Sequence, residues 1–135
     1  MTASDNLIDG RSIAEQIHRE TAERIGSLKA RGLAPGLTFV RVGEDPASRV
    51  YVGMKERMSQ RLGIRSTTEV LPEGATEGVL LELIGRLNAD SGVHGILVQA
   101  PLPRHIDAAR VYKAVSPDKD VDGFHVNSAG ALMVG

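Results

Sequence analysis

Two well-separated segments of the chain carry the side chains best suited to chemistry. Tyr51 and Lys55 stand four residues apart, so on a helix they share one face. Gln99 ends an apolar run, and Asp122 directly precedes a glycine in a turn-like segment. An aromatic ring, a titratable amine, an amide and a carboxylate are the groups that a site needs to hold and protonate a flat, nitrogen-rich ligand.

Each of these residues also has an ordinary structural explanation. A lysine on a helix is usually a solvated surface charge, a tyrosine a core ring with its hydroxyl at the surface, and a glutamine at a strand end a polar terminator. An aspartate before glycine is a common turn former. The functional interpretation of Lys55 expects partial burial beside Tyr51, which lowers an amine pKa from about 10.4. Gln99 can donate and accept at once, so it is suited to holding that amine.

The helix that carries Tyr51 and Lys55 has clear ends in the sequence. Asp45 is a suitable N-cap, proline follows at the first helical position, and Gly63 is a suitable stop. Helical spacing predicts an inward apolar stripe of Ala47, Val50, Met54 and Met58. It places Ser48, Tyr51 and Lys55 on the edge of that stripe, at the rim of a cleft. Ser48 is either an aid to Lys55 or only an early-helix serine.

Four further helices are predicted. The first follows Asp9, with a capping box of Ser12 and Glu15 and with Ile13, Ile17, Ile25 and Leu28 on one side. Another is capped by Thr76 and turns Val79, Leu80, Leu83, Ile84 and Leu87 inward. Residues 106–115 form a short helix, and residues 127–133 begin a last one.

Three apolar or β-branched runs, at residues 37–42, 64–71 and 93–99, alternate with these helices. The alternation predicts an α/β fold: a three-layer sandwich with a small parallel sheet and helices on both faces. Function in such sheets gathers at the carboxyl ends of the strands. The turn 43–46 and the loop 100–103 follow two strands, so both segments are expected at one edge of the sheet.

Composition bounds the class of protein. The 135 residues suit one domain, with 41% hydrophobic and 24% charged residues. Sixteen basic against seventeen acidic residues leave a net charge of −1, which gives no reason to expect nucleic acid or membrane as a partner. The chain has no cysteine, and residues 1–9 lack a signal-peptide pattern. We therefore expect a cytoplasmic protein.

Metal and nucleotide motifs are not found in the sequence. His18, His94, His105 and His125 lack metal-ligand spacing and are interpreted as surface or loop residues. The alternating Asp118, Asp120 and Asp122 lack the twelve-residue calcium-loop pattern. No GxGxxG follows a strand, and there is no GxxxxGK[ST], so we expect neither a metal nor a bound dinucleotide in this stretch.

Taken in order, the motifs resemble those of the bifunctional methylenetetrahydrofolate dehydrogenase/cyclohydrolase family. The matching pieces are Val42-Gly43, Asp45-Pro46-Ala47-Ser48, Tyr51-Val52 with Lys55, Gly95-Ile96-Leu97-Val98-Gln99, Pro101-Leu102-Pro103, Pro117, Lys119-Asp120-Val121-Asp122-Gly123-Phe124-His125, and residues 127–130 with Leu132 and Gly135. The resemblance runs from about Ile8 to the last residue. Ala100, where the family usually carries leucine, is a packing change.

The resemblance implies an enzyme that oxidises 5,10-methylenetetrahydrofolate with NADP or NAD and hydrolyses the methenyl product to 10-formyltetrahydrofolate, in one-carbon metabolism and purine biosynthesis. Lys55 is then the general acid/base, and Gln99 holds its amine in place. Tyr51 stacks against the folate rings and also takes part in catalysis. Ser48, Pro101 and Leu102 contact the substrate, and Asp122 binds the pterin. Residues 1–135 correspond to the folate-binding catalytic domain.

The family binds its dinucleotide on a second, Rossmann-type domain, which the resemblance places beyond Gly135. It implies a homodimer for the full-length protein and allows a monomer for this chain. The alternative interpretation is a stand-alone folate-binding or docking module without turnover. A third, membership of the wider amino-acid and shikimate dehydrogenase group, is disfavoured by the contexts of Lys55 and Asp122.

Overall fold

The structure, a computed structural model, describes residues 8–135. The expectation that residues 1–9 carry no signal peptide therefore falls largely outside the described part. In residues 8–135 no helix combines the length and apolar character that crossing a bilayer requires.

The three predicted strands form one parallel sheet. They are β1 (Gly36–Val42), β2 (Arg65–Leu71) and β3 (Gly95–Val98), in the spatial order β2-β1-β3. Val40 of β1 pairs with Val98 of β3, so Gln99 follows β3 at the level of the carboxyl end of β1, the central strand. The predicted fold class is confirmed.

Five α-helices surround the sheet within the described residues. They are α1 (Gly10–Ala30), α2 (Pro46–Leu62), α3 (Glu77–Ala89), α4 (Ala108–Ala114) and α5 (Val126–Val134). A short 3₁₀ turn, Pro117–Lys119, connects α4 to the loop that carries Asp122.

Most of the predicted helix ends are confirmed. The Asp45 carboxylate accepts from the Ser48 N–H at 2.7 Å, and Gly63 ends α2 with φ +89°, a conformation that favours glycine. The Ser12–Glu15 capping box is wrong, because Asp9 caps α1 by accepting from the Ser12 N–H at 3.1 Å. A carboxylate three residues earlier was already available, so the helix begins at Gly10.

The two faces of the sheet are buried unequally. On one face Val40, Val42, Ile96 and Val98 pack with the inward side of α3 and with Ile106, Val111 and Val115 around α4. On the other face only Phe39, Leu97 and Val52 of α2 form a small buried cluster, with Leu37 against it. Successive strand residues point to opposite faces, which is why neighbours such as Phe39 and Val40 belong to different clusters.

The predicted inward stripe of α2 is wrong. Val50 is 59% and Met54 45% exposed, Ala47 is exposed too, and Met58 is only half-buried. The side of α2 that faces the sheet carries Ser48, Val52 and Ser59. Their small size lets the helix lie close to the strands, and this orientation turns the larger apolar side chains outward.

Other predicted core positions are also exposed. Val79 on α3, and Ile13 and Ile17 on α1, are exposed, whereas Leu80, Leu83, Ile84, Leu87 and Ile25 are buried as predicted. Helical periodicity identifies the apolar side of a helix, but the elements that reach it decide how much of that side is covered.

Candidate functional site

Helix α2 begins where β1 ends, and it carries Tyr51 and Lys55 on its solvent side. Tyr51 is 56% exposed, so its side chain is accessible rather than packed in the core. Lys55 is exposed as well. The partial burial expected for Lys55 is therefore wrong, because Val52 and not the Tyr51–Lys55 edge of the helix packs against the sheet.

The Lys55 amine is held by the predicted glutamine. Lys55 Nζ donates to Gln99 Oε1 at 3.2 Å, across forty-four residues of sequence. The amide nitrogen of Gln99 donates to the Ala100 carbonyl at 2.7 Å. Since the NH₂ is engaged there, the amide oxygen faces Lys55, and the donor and acceptor roles of Gln99 are both defined.

Ser48 also binds the Ala100 carbonyl, to which the Gln99 amide donates. It is buried, and its hydroxyl donates to the Ala100 carbonyl at 3.5 Å, while its backbone N–H is bound by the helix cap Asp45. Ala100 thus receives hydrogen bonds from both α2 and Gln99. Ser48 therefore shares the Ala100 carbonyl with Gln99, and the choice between its two roles stays a prediction.

Asp122 lies within electrostatic reach of Lys55. Burial raises the pKa of the Asp122 carboxyl above its ordinary value, the charge of Lys55 opposes this rise, and the charge of Asp120 adds to it. The charges of Asp122 and Lys55 therefore influence each other, while the Lys55 amine and the Gln99 amide are in direct contact.

Pro101 and Leu102 lie on the far side of the loop that follows Gln99. With Gly43, Asp45 and their neighbours they line an open cavity of about 770 Å³. Lys55, Gln99 and Asp122 are outside its lining. The Ala100–Pro101 peptide bond is cis, an isomer that the sequence analysis does not assign. Pro101 and Leu102 are thus adjacent to the polar group rather than part of it.

Two residues that interact electrostatically with Asp122, Tyr112 and Asp120, had no functional role assigned from the sequence. Tyr112 of α4 is half-buried; burial raises the pKa of its hydroxyl, and the charge of Asp122 raises it further. Its ring meets that of Phe124 with centroids 5.0 Å apart. Nothing local in the sequence signals this contact. The second residue is Asp120, whose position three before Gly123 is a recognisable turn signal.

His94, His105 and His125 form hydrogen bonds with the backbone. His125 lies in the loop before α5, one of the two predicted settings, but it is buried there, and its Nδ1 accepts from the Asn127 N–H at 3.0 Å. His94 Nδ1 accepts from Gly36, and His105 Nε2 lies 2.8 Å from the Ala75 carbonyl. Across the described stretch no three His, Cys, Asp or Glu side chains are grouped in a way suited to a metal ion.

The fold and the polar side chains define a class: a parallel α/β domain with a lysine and an amide paired at its strand ends. Comparison with known proteins gives the family. Residues 8–122 match the family model described as "Tetrahydrofolate dehydrogenase/cyclohydrolase, catalytic domain". The chain is 53% identical over all its residues to the Bifunctional protein FolD of Polaromonas sp. (strain JS666), of which it covers 47%. The corresponding protein of Bordetella bronchiseptica is 50% identical, with the same coverage.

Solved structures agree. The FolD enzyme of Campylobacter jejuni superimposes with a TM-score of 0.92 at 40% identity, over 93% of this chain and 45% of that one. The Trypanosoma brucei FolD, solved with NADP and an inhibitor, gives 0.90 at 34% identity over 95% of this chain and 44% of that one. The chain belongs to the tetrahydrofolate dehydrogenase/cyclohydrolase catalytic-domain family. It spans about half the length of the curated relatives it matches.

Proposed function

We propose that this chain is the folate-binding half of an enzyme that oxidises 5,10-methylenetetrahydrofolate to the methenyl form and hydrolyses that product to 10-formyltetrahydrofolate. The hydrogen bond from Lys55 to Gln99 carries the proposal. It fixes a titratable amine at the strand ends, beside an exposed aromatic ring and a nearby carboxylate. Membership of the family supports the same assignment.

In the hydrolysis, water adds to the methenyl carbon, and the bond from that carbon to N5 of the folate breaks. The water loses two protons as its oxygen becomes the formyl oxygen, N5 gains one proton, and one proton is released overall. Lys55 takes a proton from the attacking water and returns one to N5. Gln99 holds Nζ in place between these two transfers.

The binding roles follow from the surfaces that remain open. Tyr51 offers a ring face on which a flat ligand ring can stack. Asp122 offers a carboxylate to the side-by-side N–H and NH₂ donors of a pterin, and a charged acceptor strengthens both hydrogen bonds. Pro101 and Leu102 then border the substrate from the loop after β3.

The turns after β1 and β3 offer little to the dinucleotide that the oxidation requires. Free backbone N–H groups at a helix N-terminus are a common binding site for a pyrophosphate. The turn after β1 instead presents Glu44 and Asp45, and Asp45 already caps α2. The loop after β3 contains Pro101 and Pro103, which have no N–H. We propose that NADP or NAD is bound by protein that lies outside residues 1–135.

Titration calorimetry of the 135-residue chain with 5-formyltetrahydrofolate, a chemically stable folate, tests the site. We expect binding that Tyr51→Ala and Asp122→Asn weaken, while Asp118→Asn, an exposed carboxylate nearby, leaves it unchanged. Equal effects of Asp118→Asn and Asp122→Asn would contradict the assignment.

Hydrolysis of the methenyl compound, followed by its absorbance, separates the enzyme from the alternative of a stand-alone binding module. Binding without hydrolysis, even in a protein extended to the length of its relatives, would favour the module. The proposal includes a homodimer for that longer protein and a cytoplasmic location. Sedimentation and cell fractionation test these two points.

A further inference from the structure

The loop that presents Asp122 is held together by another carboxylate. Asp120 Oδ1 accepts from the Gly123 N–H at 3.0 Å, and Asp120 Oδ2 accepts from the His125 N–H at 2.9 Å. Both oxygens of one side chain therefore bind backbone donors that lie after Asp122. Asp122 is enclosed in a hydrogen-bonded turn whose ends are fixed relative to each other.

Both ends of this turn are attached to the rest of the domain. Asp120 forms a parallel bridge with Ile96 of β3, the strand that ends at Gln99. At the other end His125 is buried and caps α5. Gly123 has φ +74°, a conformation that side chains other than glycine rarely adopt, so the turn is tightly specified.

Both oxygens of the Asp120 carboxylate are occupied by these hydrogen bonds. Burial opposes its ionisation, but hydrogen bonds from the backbone of His125, the Ser128 side chain and the backbone of Gly123 and Phe124 outweigh burial and lower the pKa of Asp120. The group is thus ionised while its oxygens point into its own loop. It is unsuited to bind a ligand itself, whereas the pKa of the Asp122 carboxyl responds to burial and to the charges of Lys55 and Asp120.

We propose that Asp120 is a positioning residue, which sets the orientation of the Asp122 carboxylate toward the paired N–H donors of the ligand. This inference rests on the proposed function, in which Asp122 binds the pterin. If the hydrogen bonds to Asp120 are lost, the Asp122 carboxylate can rotate. It then forms one good hydrogen bond to the ligand instead of two. The loss should then appear as weaker discrimination between ligands with two donors and ligands with one.

The test compares a folate with its 2-desamino-2-methyl analogue, which lacks one of the two donors. Calorimetry measures both affinities for the wild-type chain and for Asp120→Asn, Asp122→Asn, the double variant and the control Asp118→Asn. We expect Asp120→Asn to weaken folate binding about two- to tenfold, the size of one hydrogen bond, and to affect the analogue much less. In the Asp122→Asn background, Asp120→Asn should cost nothing further.

Three outcomes are distinguishable. Equal losses for both ligands, or additive losses in the double variant, would show that Asp120 only supports the fold and would overturn the inference. An effect of Asp122→Asn without one of Asp120→Asn would overturn the inference and leave the proposed function standing. No effect of Asp122→Asn on folate affinity would remove the proposed function itself.

A measurement on the wild-type chain covers the case in which Asp120→Asn does not fold. Hydrogen exchange by NMR reports whether the Gly123 and His125 amides are protected. We expect both to exchange more slowly than the amide of the exposed Asp118, and this protection should fall as Asp120 is protonated. Exchange at the rate of Asp118 would overturn the inference.

Discussion

The two faces of the sheet differ in how much apolar surface they bury. Within residues 8–135 the face toward α3 and α4 holds a cluster of twelve buried residues, whereas the face toward α2 holds three. The first is a closed apolar core. The second covers β1 with Val52 and leaves Val50, Tyr51 and Met54 exposed. The comparison teaches that the two helix layers contribute unequally to the apolar core, and that the α2 side keeps the side chains assigned here to the proposed ligand exposed.

The largest expected effect falls on the open face. Lys55→Met, in a protein extended to the length of its relatives, should lower the hydrolysis rate of the methenyl substrate by about 10²–10⁴-fold, as loss of a general acid/base does. The melting temperature should stay close to that of wild type, because Lys55 is exposed. Lys113→Met on α4 is the matched control, and a near wild-type rate for Lys55→Met would exclude Lys55 as the proton carrier.

On the closed face, substitutions should lower the free energy of unfolding. Ile84→Ala removes a side chain with no exposed surface and should cost about 2–5 kcal/mol of unfolding free energy. Met54→Ala on α2 should stay within about 0.5 kcal/mol, since Met54 is 45% exposed and lies outside the buried clusters. Urea unfolding of both variants measures the difference, and equal costs would contradict the division between the faces.

Asp122→Asn should weaken folate binding by about ten- to a hundredfold, because one charge-assisted hydrogen bond is replaced by a repulsive contact between two donors. The turn needs only a short side chain with an oxygen, which asparagine retains. Calorimetry beside a thermal melt measures both properties. Unchanged affinity with a sharply lower melting temperature would make Asp122 a structural turn residue.

The smallest effect is the pH dependence of the ligand-free chain, where Asp120 and Asp122 should differ in sign. The pKa of Asp120 is lowered on folding, so its carboxylate stabilises the fold above about pH 3.8 and loses this contribution as the pH falls below it. The pKa of Asp122 is raised, so its ionisation on raising the pH above about 3.8 destabilises the fold.

Melting temperatures of wild type, Asp120→Asn and Asp122→Asn between about pH 3 and 7 test this pair. Relative to wild type, Asp120→Asn should become less stable as the pH rises, and Asp122→Asn should become no less stable. Parallel curves for the two variants would show that the two carboxyls have the same environment.

Much of the fold follows from local signals in the sequence. The strand runs, the Asp45-Pro46 start and the Gly63 stop of α2, and the Thr76 cap are all present in the structure. These features succeed because caps, turns and apolar runs act over a few residues. The stripe of α2 fails because burial depends on which element covers a helix, and Ser48, Val52 and Ser59 proved to be the covered side.

The sequence by itself determined which chemical groups are available and on which elements they lie: Tyr51 and Lys55 one helical turn apart, Gln99 at a strand end and Asp122 in a turn. Only the tertiary structure decided that Lys55 meets Gln99, that the ring of Tyr112 meets that of Phe124 and that Asp120 closes the loop. The first kind of information is local, set by backbone geometry over a few residues. The second depends on β1 and β3 pairing in one register, which brings distant segments to a common edge.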